Sequence, residues 1–596
     1  LDLMPIDFRN TNTVWASILA ETLQRLGLTT AVICPGSRST PLAVAFAQNT
    51  KIEAIPVLDE RSAAFFTLGI ARKSGLPVAV ICTSGTAGAN FYPAVIEARE
   101  SRVPLLILTA DRPPEMRDCH SGQTIDQVKL YGNYPNWQTE LAVPSVDMGM
   151  LSYLRQTIVH AWERSQFPVK GPVHINLPFR DPLAPIPDTT TNLLQSQFQP
   201  EAFFAHISHS PLQKTHSPFP NPPTEWQKCD RGIIIAGLAQ PQNPREYCSA
   251  VGELSKTLGF PVLGEGLSPV RNYAELNPYL ISSYDLILRD GYAQPRHRKL
   301  AETLKPEIVI QIGELPTSKE LRAWLNEYQP QRWIIDASDQ NLDSLHGKTI
   351  HLRISVEEMG SGFFGVGSGG EEFGKISLLD TTQSNYLAKW CEVEAEVRSK
   401  IDRKMSGISQ LFEGKAAWLL SQILPPETPL FIANSMPVRD VESFWVPGNR
   451  RIRPFFNRGA NGIDGTLSTA LGIAHRSEST VILTGDLALL HDTNGFLLRQ
   501  KLVGHLTIIL INNNGGGIFE MLPISQFEPP FEEFFATPQS VNFAQLCGSY
   551  GVEHHLIESW GELQELLNPL PKVGIRVLEV PTNRKVDARW RQMFST

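Results

Sequence analysis

The chain is 596 residues long, 42% hydrophobic and 19% charged, with a formal net charge of −8; that size reads as roughly three or four domains with buried cores. The negative balance excludes nucleic acid as a general partner. No bilayer-length apolar run and no opening signal-peptide pattern occur, which excludes membrane insertion, so the reading is a soluble, cytoplasmic protein.

In chain order, the first informative stretch is "CPGSRSTPL" (34–42). It reads as a strand-to-helix turn in which Thr40 caps, Pro41 takes the first helical position, and Ser37 with Arg38 faces an anion. Capping accounts for the Ser, Thr and Pro but not for Arg38, because a cation at a helix N-terminus opposes the macrodipole. Within "IPVLDERSAAFFTLGIARKSG" (55–75), Glu60 follows a short apolar run and opens an Ala-rich amphipathic helix. Alone it is an acidic residue in a helix's first turn, stabilised by the dipole. "PVAVICTSGTAGANFYPAVIEA" (77–98) then joins a parallel-type strand, a Ser-Gly-Thr-Ala turn and a helix, a ligand-binding architecture.

Two composition shifts follow: a Pro-, Ser-, Thr- and His-rich stretch at 188–226 and a Gly-rich one at 358–374. They divide the chain into a block at 1–190, a linker at 191–228, an α/β block at 229–360, a linker at 361–380 and a block at 381–596. In the middle block, "RGIIIAGLA" (231–239) and "EIVIQIGELP" (307–316) read as strand-to-turn transitions. The GLA turn lacks the full GxGxxG of a dinucleotide site.

Near the end of the chain, "STVILTGD" (479–486) and "HLTIIL" (505–510) are apolar β-branched runs, and "LALLHDTNGFLLRQKLVG" between them suits a crossover helix. The unit reads as βαβ, with Asp486 and Asn513 at the carboxyl ends of two parallel strands. The second run ends in "INNNGGG" (511–517). This is either a Gly-rich turn closing a buried strand or backbone bared for a ligand. A hard cation takes a carboxylate, an amide oxygen and a backbone carbonyl such as that of Gly515, with phosphates and water completing the shell. Glycine N–H groups and a helix N-terminus then receive the phosphates.

Gly485-Asp486 followed by Asn512-Asn513 resembles the metal-diphosphate motif of thiamine diphosphate enzymes. That resemblance implies a distant carboxyl group hydrogen-bonded to the cofactor's aminopyrimidine, for which Glu60 is the candidate. Together "CPGSRSTPL", "DER" (59–61), "TSGTA" (83–87), "TADRPPE" (109–115), "NRGANGIDG" (457–465), "GDLALLHDTN" (485–494) and "NNNGGGIF" (512–519) resemble the 2-succinyl-5-enolpyruvyl-6-hydroxy-3-cyclohexene-1-carboxylate synthase (MenD) family.

The resemblance implies an α/β fold of three doubly wound parallel-sheet domains: pyrimidine-binding, central and diphosphate-binding. It implies thiamine diphosphate with Mg2+ or Mn2+, and a transferase that decarboxylates 2-oxoglutarate and joins the succinyl carbanion equivalent to isochorismate by 1,4-addition. The pathway would be menaquinone or phylloquinone biosynthesis. It also implies a homodimer or dimer of dimers with active sites at the subunit interface.

Carried over by motif, Ser37, Arg38, Arg112, Gln123, Lys319, Ser435, Arg439, Arg458, Phe519 and Leu522 resemble substrate-binding residues. Glu60 is the catalytic residue of this set. Glu60, Ile463, Gly485, Asp486, Leu487, Asn513, Gly515 and Ile518 resemble cofactor contacts, with Asp486, Asn513 and Gly515 on the metal. Gly122 and Glu320 stand where some members carry an asparagine and a second basic residue. Two other readings are another thiamine diphosphate-dependent 2-oxoacid decarboxylase or carboligase, whose smaller substrates need fewer arginines, and a catalytically dead scaffold, against which Glu60, Asp486 and Asn513 stand intact.

Overall fold

The computed structural model describes residues 6–208, 223–293, 295–363 and 385–594. Among them are three six-stranded parallel sheets. The first contains β1 (Thr30–Ile33), β2 (Glu53–Pro56), β3 (Val78–Cys82), β4 (Leu105–Asp111), β5 (Trp137–Glu140) and β6 (Pro172–Pro178), in the order β2-β1-β3-β4-β6-β5. The second contains β7 (Gly232–Ala236), β8 (Val262–Gly264), β9 (Leu280–Ile281), β10 (Ile308–Ile312), β11 (Gln331–Ile335) and β12 (Thr349–Leu352), ordered β12-β11-β10-β7-β8-β9. The third contains β13 (Pro429–Ile432), β14 (Arg453–Phe455), β15 (Thr480–Gly485), β16 (His505–Asn512), β17 (Glu553–Leu556) and β18 (Gly574–Pro581), ordered β14-β13-β15-β16-β18-β17.

Numbered within each sheet, the first and third share the order 2-1-3-4-6-5, whereas the second runs 3-2-1-4-5-6. Both orders are doubly wound. The continuous apolar runs follow from this, because a parallel sheet is covered on both faces. In β7, Ile233 and Ile235 enter one core with Tyr284 and Trp324, while Ile234 and Ala236 enter another with Val251 and Phe260. Burying each isoleucine contributes roughly 1.5–3 kcal/mol, so a one-residue slip, which exchanges the faces, is disfavoured.

The chain divides into two compact units: Leu1–Lys214 with Asn457–Ser477 and Ala488–His505, and Thr215–Phe456 with Glu478–Leu487 and Leu506–Thr596. The first unit holds the first sheet and helix Thr466–Ala474; the second holds the other two sheets except for His505. Inside the first unit, helix Glu60–Ser74 crosses helix Thr466–Ala474 at two glycines. A Cβ on Gly69 would lie 2.1 Å from the Thr469 carbonyl oxygen, and one on Gly472 would lie 2.1 Å from that of Phe66.

Three local expectations differ from what is observed. β15 and β16 do pair in parallel as a βαβ unit, but the connection is helix Asp486–Leu490 followed by a 3-10 helix, Thr493–Gln500. Asp492 makes the break: its carboxylate accepts from the Ser468 backbone N–H at 2.7 Å and the Ser468 hydroxyl at 3.0 Å. At the first turn, the helix opens at Thr40 with Pro41 second and Ser39 as N-cap, and no side chain caps it. The Thr40 hydroxyl instead donates to the Ser37 carbonyl at 2.7 Å. The described part of the 191–228 stretch carries short helices Asn192–Gln197, Pro200–Phe203 and Thr224–Gln227, with Leu194, Phe203 and Trp226 buried. Residues 209–222 of that stretch, and 364–380 of the 361–380 linker, lie outside the described residues. No described helix is long and apolar enough to cross a membrane, and all seven cysteines are free thiols.

Candidate active site

In the first unit the chain changes direction between β1 and β3, and the loops leaving β1, β3 and β4 bring several predicted residues together. Gly36 lets the first two loops meet, since a Cβ there would lie 2.2 Å from Cβ of Thr83. Arg38 is buried; its Nη1 donates to the Phe179 carbonyl at 2.9 Å, and its buried Nε has no hydrogen-bond partner. Arg112 donates to the Ser84 hydroxyl and, at 3.1 Å, to the Gln123 carbonyl, while its own Nε is likewise buried without a partner. Burial, then the like charge of Arg38, holds Arg112 below its ordinary pKa. Gln123 is exposed with φ 57°, its amide donating to the Ser84 carbonyl at 2.9 Å; Ser37 is exposed. Two neighbouring guanidiniums with unused N–H groups form a site for an anion, above all a carboxylate.

Glu60 is half-buried at the first position of helix Glu60–Ser74, which Asp59 caps by accepting from the Ser62 N–H at 3.0 Å. Burial, then the Glu60 charge, pushes up the pKa of the Cys34 thiol, which follows β1. The Asn494 amide donates to Asp59 at 2.8 Å, and Arg61 donates to the His491 carbonyl at 2.7 Å. The segment bearing Arg458 and Ile463 is tied down by buried Glu97, which accepts from the Gly459 and Ala460 N–H groups at 3.0 and 2.7 Å. The Ile463 carbonyl accepts from the Thr466 hydroxyl at 2.7 Å.

The second unit repeats the arrangement in its third sheet, where the direction changes between β13 and β15. After β13, Ser435 sits at φ 73° and ψ −123°, a conformation costing a non-glycine residue about 1–3 kcal/mol and characteristic of functional turns. Arg439, one turn later, donates to its carbonyl at 2.6 Å. At the end of β15, Gly485 leads into Asp486, which is only 5% exposed. Its carboxylate accepts from the Gly515 N–H at 2.7 Å and the Leu487 N–H at 2.9 Å, and burial pushes its pKa up to about 6.

Asn512 donates to Glu579 at 2.6 Å, and Asn513 donates to Glu413 at 3.0 Å while its Oδ1 stays buried without a partner. A Cβ on Gly515, Gly516 or Gly517 would lie 2.3 Å from the Ala536 carbonyl oxygen, 2.7 Å from the Phe519 ring or 2.7 Å from Asn513 Nδ2. The Gly515 carbonyl accepts from the Gly517 N–H at 2.9 Å, which leaves one lone pair. Ile518 and Phe519 occupy the 3-10 helix Gly517–Met521, Phe519 stands edge-on to Phe535, and Leu522 is 38% exposed. Lys319 is exposed at the start of helix Lys319–Tyr328, which follows β10 of the second sheet rather than a strand of the third.

The motifs did not reveal Glu97, Asp492, Glu413, Arg584 or Arg591. Arg584 donates to Glu520 at 2.9 Å, to Glu532 and to the Asn514 carbonyl at 2.8 Å; Arg591 bridges Glu413 and Asp440. The available signal was Arg584, Asp587 and Arg591 on one face of helix Arg584–Phe594, charges on what proves to be its buried stripe.

A family model described as the thiamine pyrophosphate enzyme N-terminal TPP binding domain matches residues 14–130, and a middle-domain model of thiamine pyrophosphate matches residues 208–432. A 2-succinyl-5-enolpyruvyl-6-hydroxy-3-cyclohexene-1-carboxylate synthase of Nostoc sp. is 67% identical over 591 residues, 99% of this chain and 98% of the relative. The chain belongs to this synthase family. Synthases of the same name from Gloeothece citriformis and Crocosphaera subtropica are 65% and 54% identical, over 98% and 99% of this chain and 98% of each relative. For this family of thiamine diphosphate enzymes, the orphaned Asn513 Oδ1, the buried Asp486 carboxylate and the crowded glycine turn fit the cation-and-diphosphate end of the cofactor. No cluster of three or more His, Cys, Asp or Glu ligands occurs among the described residues; a cation shared with a diphosphate does not need one.

Proposed function

We propose that this chain is a thiamine diphosphate- and Mg2+- or Mn2+-dependent synthase that decarboxylates 2-oxoglutarate and adds the four-carbon unit to isochorismate. The observation that carries the reading is the pair of orphaned guanidinium N–H groups on Arg38 and Arg112, in a chain sharing 67% identity with a synthase of that name. Thiamine diphosphate, when bound, supplies the electron sink for carbanion chemistry. The protein's part is to bind, orient and keep dry.

Asp486, the Asn513 amide oxygen and the Gly515 carbonyl hold the cation. Gly485, Leu487, Ile463 and Ile518 line the cofactor, and Glu60 holds a proton at its aminopyrimidine ring. Ser37, Arg38, Arg112, Gln123, Lys319, Ser435, Arg439 and Arg458 take the substrate carboxylates and hydroxyls. Phe519 and Leu522 exclude water, which would otherwise protonate the nucleophile and release an aldehyde. Residues 1–190 act as pyrimidine-binding domain, 229–360 as central domain and 381–596 as diphosphate-binding domain. The assembly is a cytoplasmic homodimer or dimer of dimers, with Glu60 of one subunit serving the cofactor held by the next.

The test is incubation of the full chain with thiamine diphosphate, Mg2+, 2-oxoglutarate and isochorismate, read by mass spectrometry with single omissions. The adduct should form only in the complete mixture. Carbon dioxide release from pyruvate without use of isochorismate would make it a different decarboxylase. No turnover under any condition would make it a scaffold.

A further inference from the structure

The Asn513 side chain can ligate a cation only through its oxygen, yet an amide turned by half a revolution offers its NH2 instead. Something must choose. A carboxylate is acceptor-only, so Glu413, 3.0 Å from Asn513 Nδ2, admits one orientation and leaves Oδ1 facing away from it, buried and unpartnered. Glu413 is 3% exposed and is held in turn by Arg591 at 2.8 Å, whose same Nη2 also meets Asp440. Seven residues earlier on the same face of that helix, Arg584 grips the Asn514 carbonyl at 2.8 Å. Phe594 anchors the helix against Phe412 and Phe444, with ring centroids 6.3 and 5.1 Å apart. A buried ionic group is a weak source of stability compared with apolar packing, so its presence beside Asn513 calls for another role.

We infer that Glu413 is a positioning residue for the cation: its carboxylate selects the amide face that Asn513 presents, and Arg591 fixes Glu413. The inference rests on the proposed cation at Asp486 and Asn513. Glutamine at position 413 could donate as well as accept and would no longer choose.

The experiment titrates Mg2+ into the full apo chain at fixed thiamine diphosphate, reading affinity by calorimetry and apo melting temperature alongside. Glu413→Gln should weaken Mg2+ binding roughly 10- to 100-fold, the range for residues that orient a ligand. In an Asn513→Asp background the two oxygens are equivalent and face a like charge, so adding Glu413→Gln should tighten binding. That reversal of sign is what a merely structural role cannot produce. A change below about twofold in the first variant, or equal weakening in both backgrounds, overturns the inference. If Glu413→Gln does not fold, Arg591→Lys keeps the charge but loses the fork and should cost roughly tenfold in Mg2+ affinity; parental affinity there overturns it as well. Asp486→Ala separates the two readings. If it binds Mg2+ as the parent does, the proposed cation site itself falls; if it loses Mg2+ while Glu413→Gln does not, only the positioning role falls.

Discussion

At the scale of single residues, two carboxylates with different surroundings are assigned different work, and substitutions can part them. Glu60→Gln keeps shape and neutral hydrogen bonding but not the acid–base function, so thiamine diphosphate should still bind while exchange of its C2 proton slows on the order of 10²–10⁴-fold. Proton exchange followed by NMR measures this, and a normal rate would remove Glu60 from activation. Asp486→Ala deletes the one charge among the proposed cation ligands and should abolish Mg2+-dependent cofactor binding, measured by calorimetry. A third residue concerns stability alone. His174 is 1% exposed in β6, its Nε2 2.8 Å from the Thr109 hydroxyl, and burial pushes its pKa down to about 3. The folded value lies below the unfolded one, so its contribution is complete above about pH 6.5 and is lost as the pH falls toward 3. At pH 5 the loss is about 2 kcal/mol. Urea unfolding at pH 7 and pH 5 should show that difference shrinking by about 2 kcal/mol in His174→Asn. An unchanged difference would mean the imidazole is charged in the native state.

At the scale of elements, what could be read from the sequence was whatever depends on neighbours along the chain. β3 and β7 are uninterrupted apolar runs and β15 and β16 are mostly apolar, the pattern of strands buried on both faces of a parallel sheet. The placing of Asp486 and Asn513 at neighbouring strand ends was legible because a βαβ unit brings consecutive strand ends side by side; the bond from the Gly515 N–H to the Asp486 carboxylate was not read. The Arg591 and Glu413 pair was not, since the partners stand 178 residues apart and neither belongs to a local pattern. Asp492 was hidden for a related reason: it ends a helix by reaching for Ser468, a contact that leucine spacing cannot announce. Ser39 rather than Thr40 stands at the N-cap because the helix already includes Thr40, whose hydroxyl donates back to the Ser37 carbonyl. The glycine turn gives the prediction proper to this scale. Gly515 has φ 138° and no room for a Cβ beside the Ala536 carbonyl. Gly515→Ala should therefore displace the turn at a cost of about 1–3 kcal/mol and weaken Mg2+-dependent cofactor binding at least tenfold, with the far-UV circular dichroism unchanged. Parental affinity would show that the turn relaxes without moving its ligands.

At the scale of the whole molecule, Glu60 belongs to one compact unit and Asp486 with Asn513 to the other. If the working site pairs Glu60 of one subunit with Asp486 of the partner subunit, co-expressing Glu60→Ala and Asp486→Ala chains concentrates both lesions in one site of each mixed dimer and leaves the other intact. Random pairing makes half the dimers mixed, each with one good site of two, so about a quarter of parental activity should return. Mixed dimers without activity would mean that each chain builds its site alone. The grip of helix Arg584–Phe594 on the glycine turn has a consequence in time as well as space. Asn513 is synthesised before Arg591, so the brace forms only after the strand that carries the turn has been made. On the proposed reading of the cation site, a chain stalled short of residue 591 would lack the contact that fixes Glu413 and should bind Mg2+ more weakly than the finished chain.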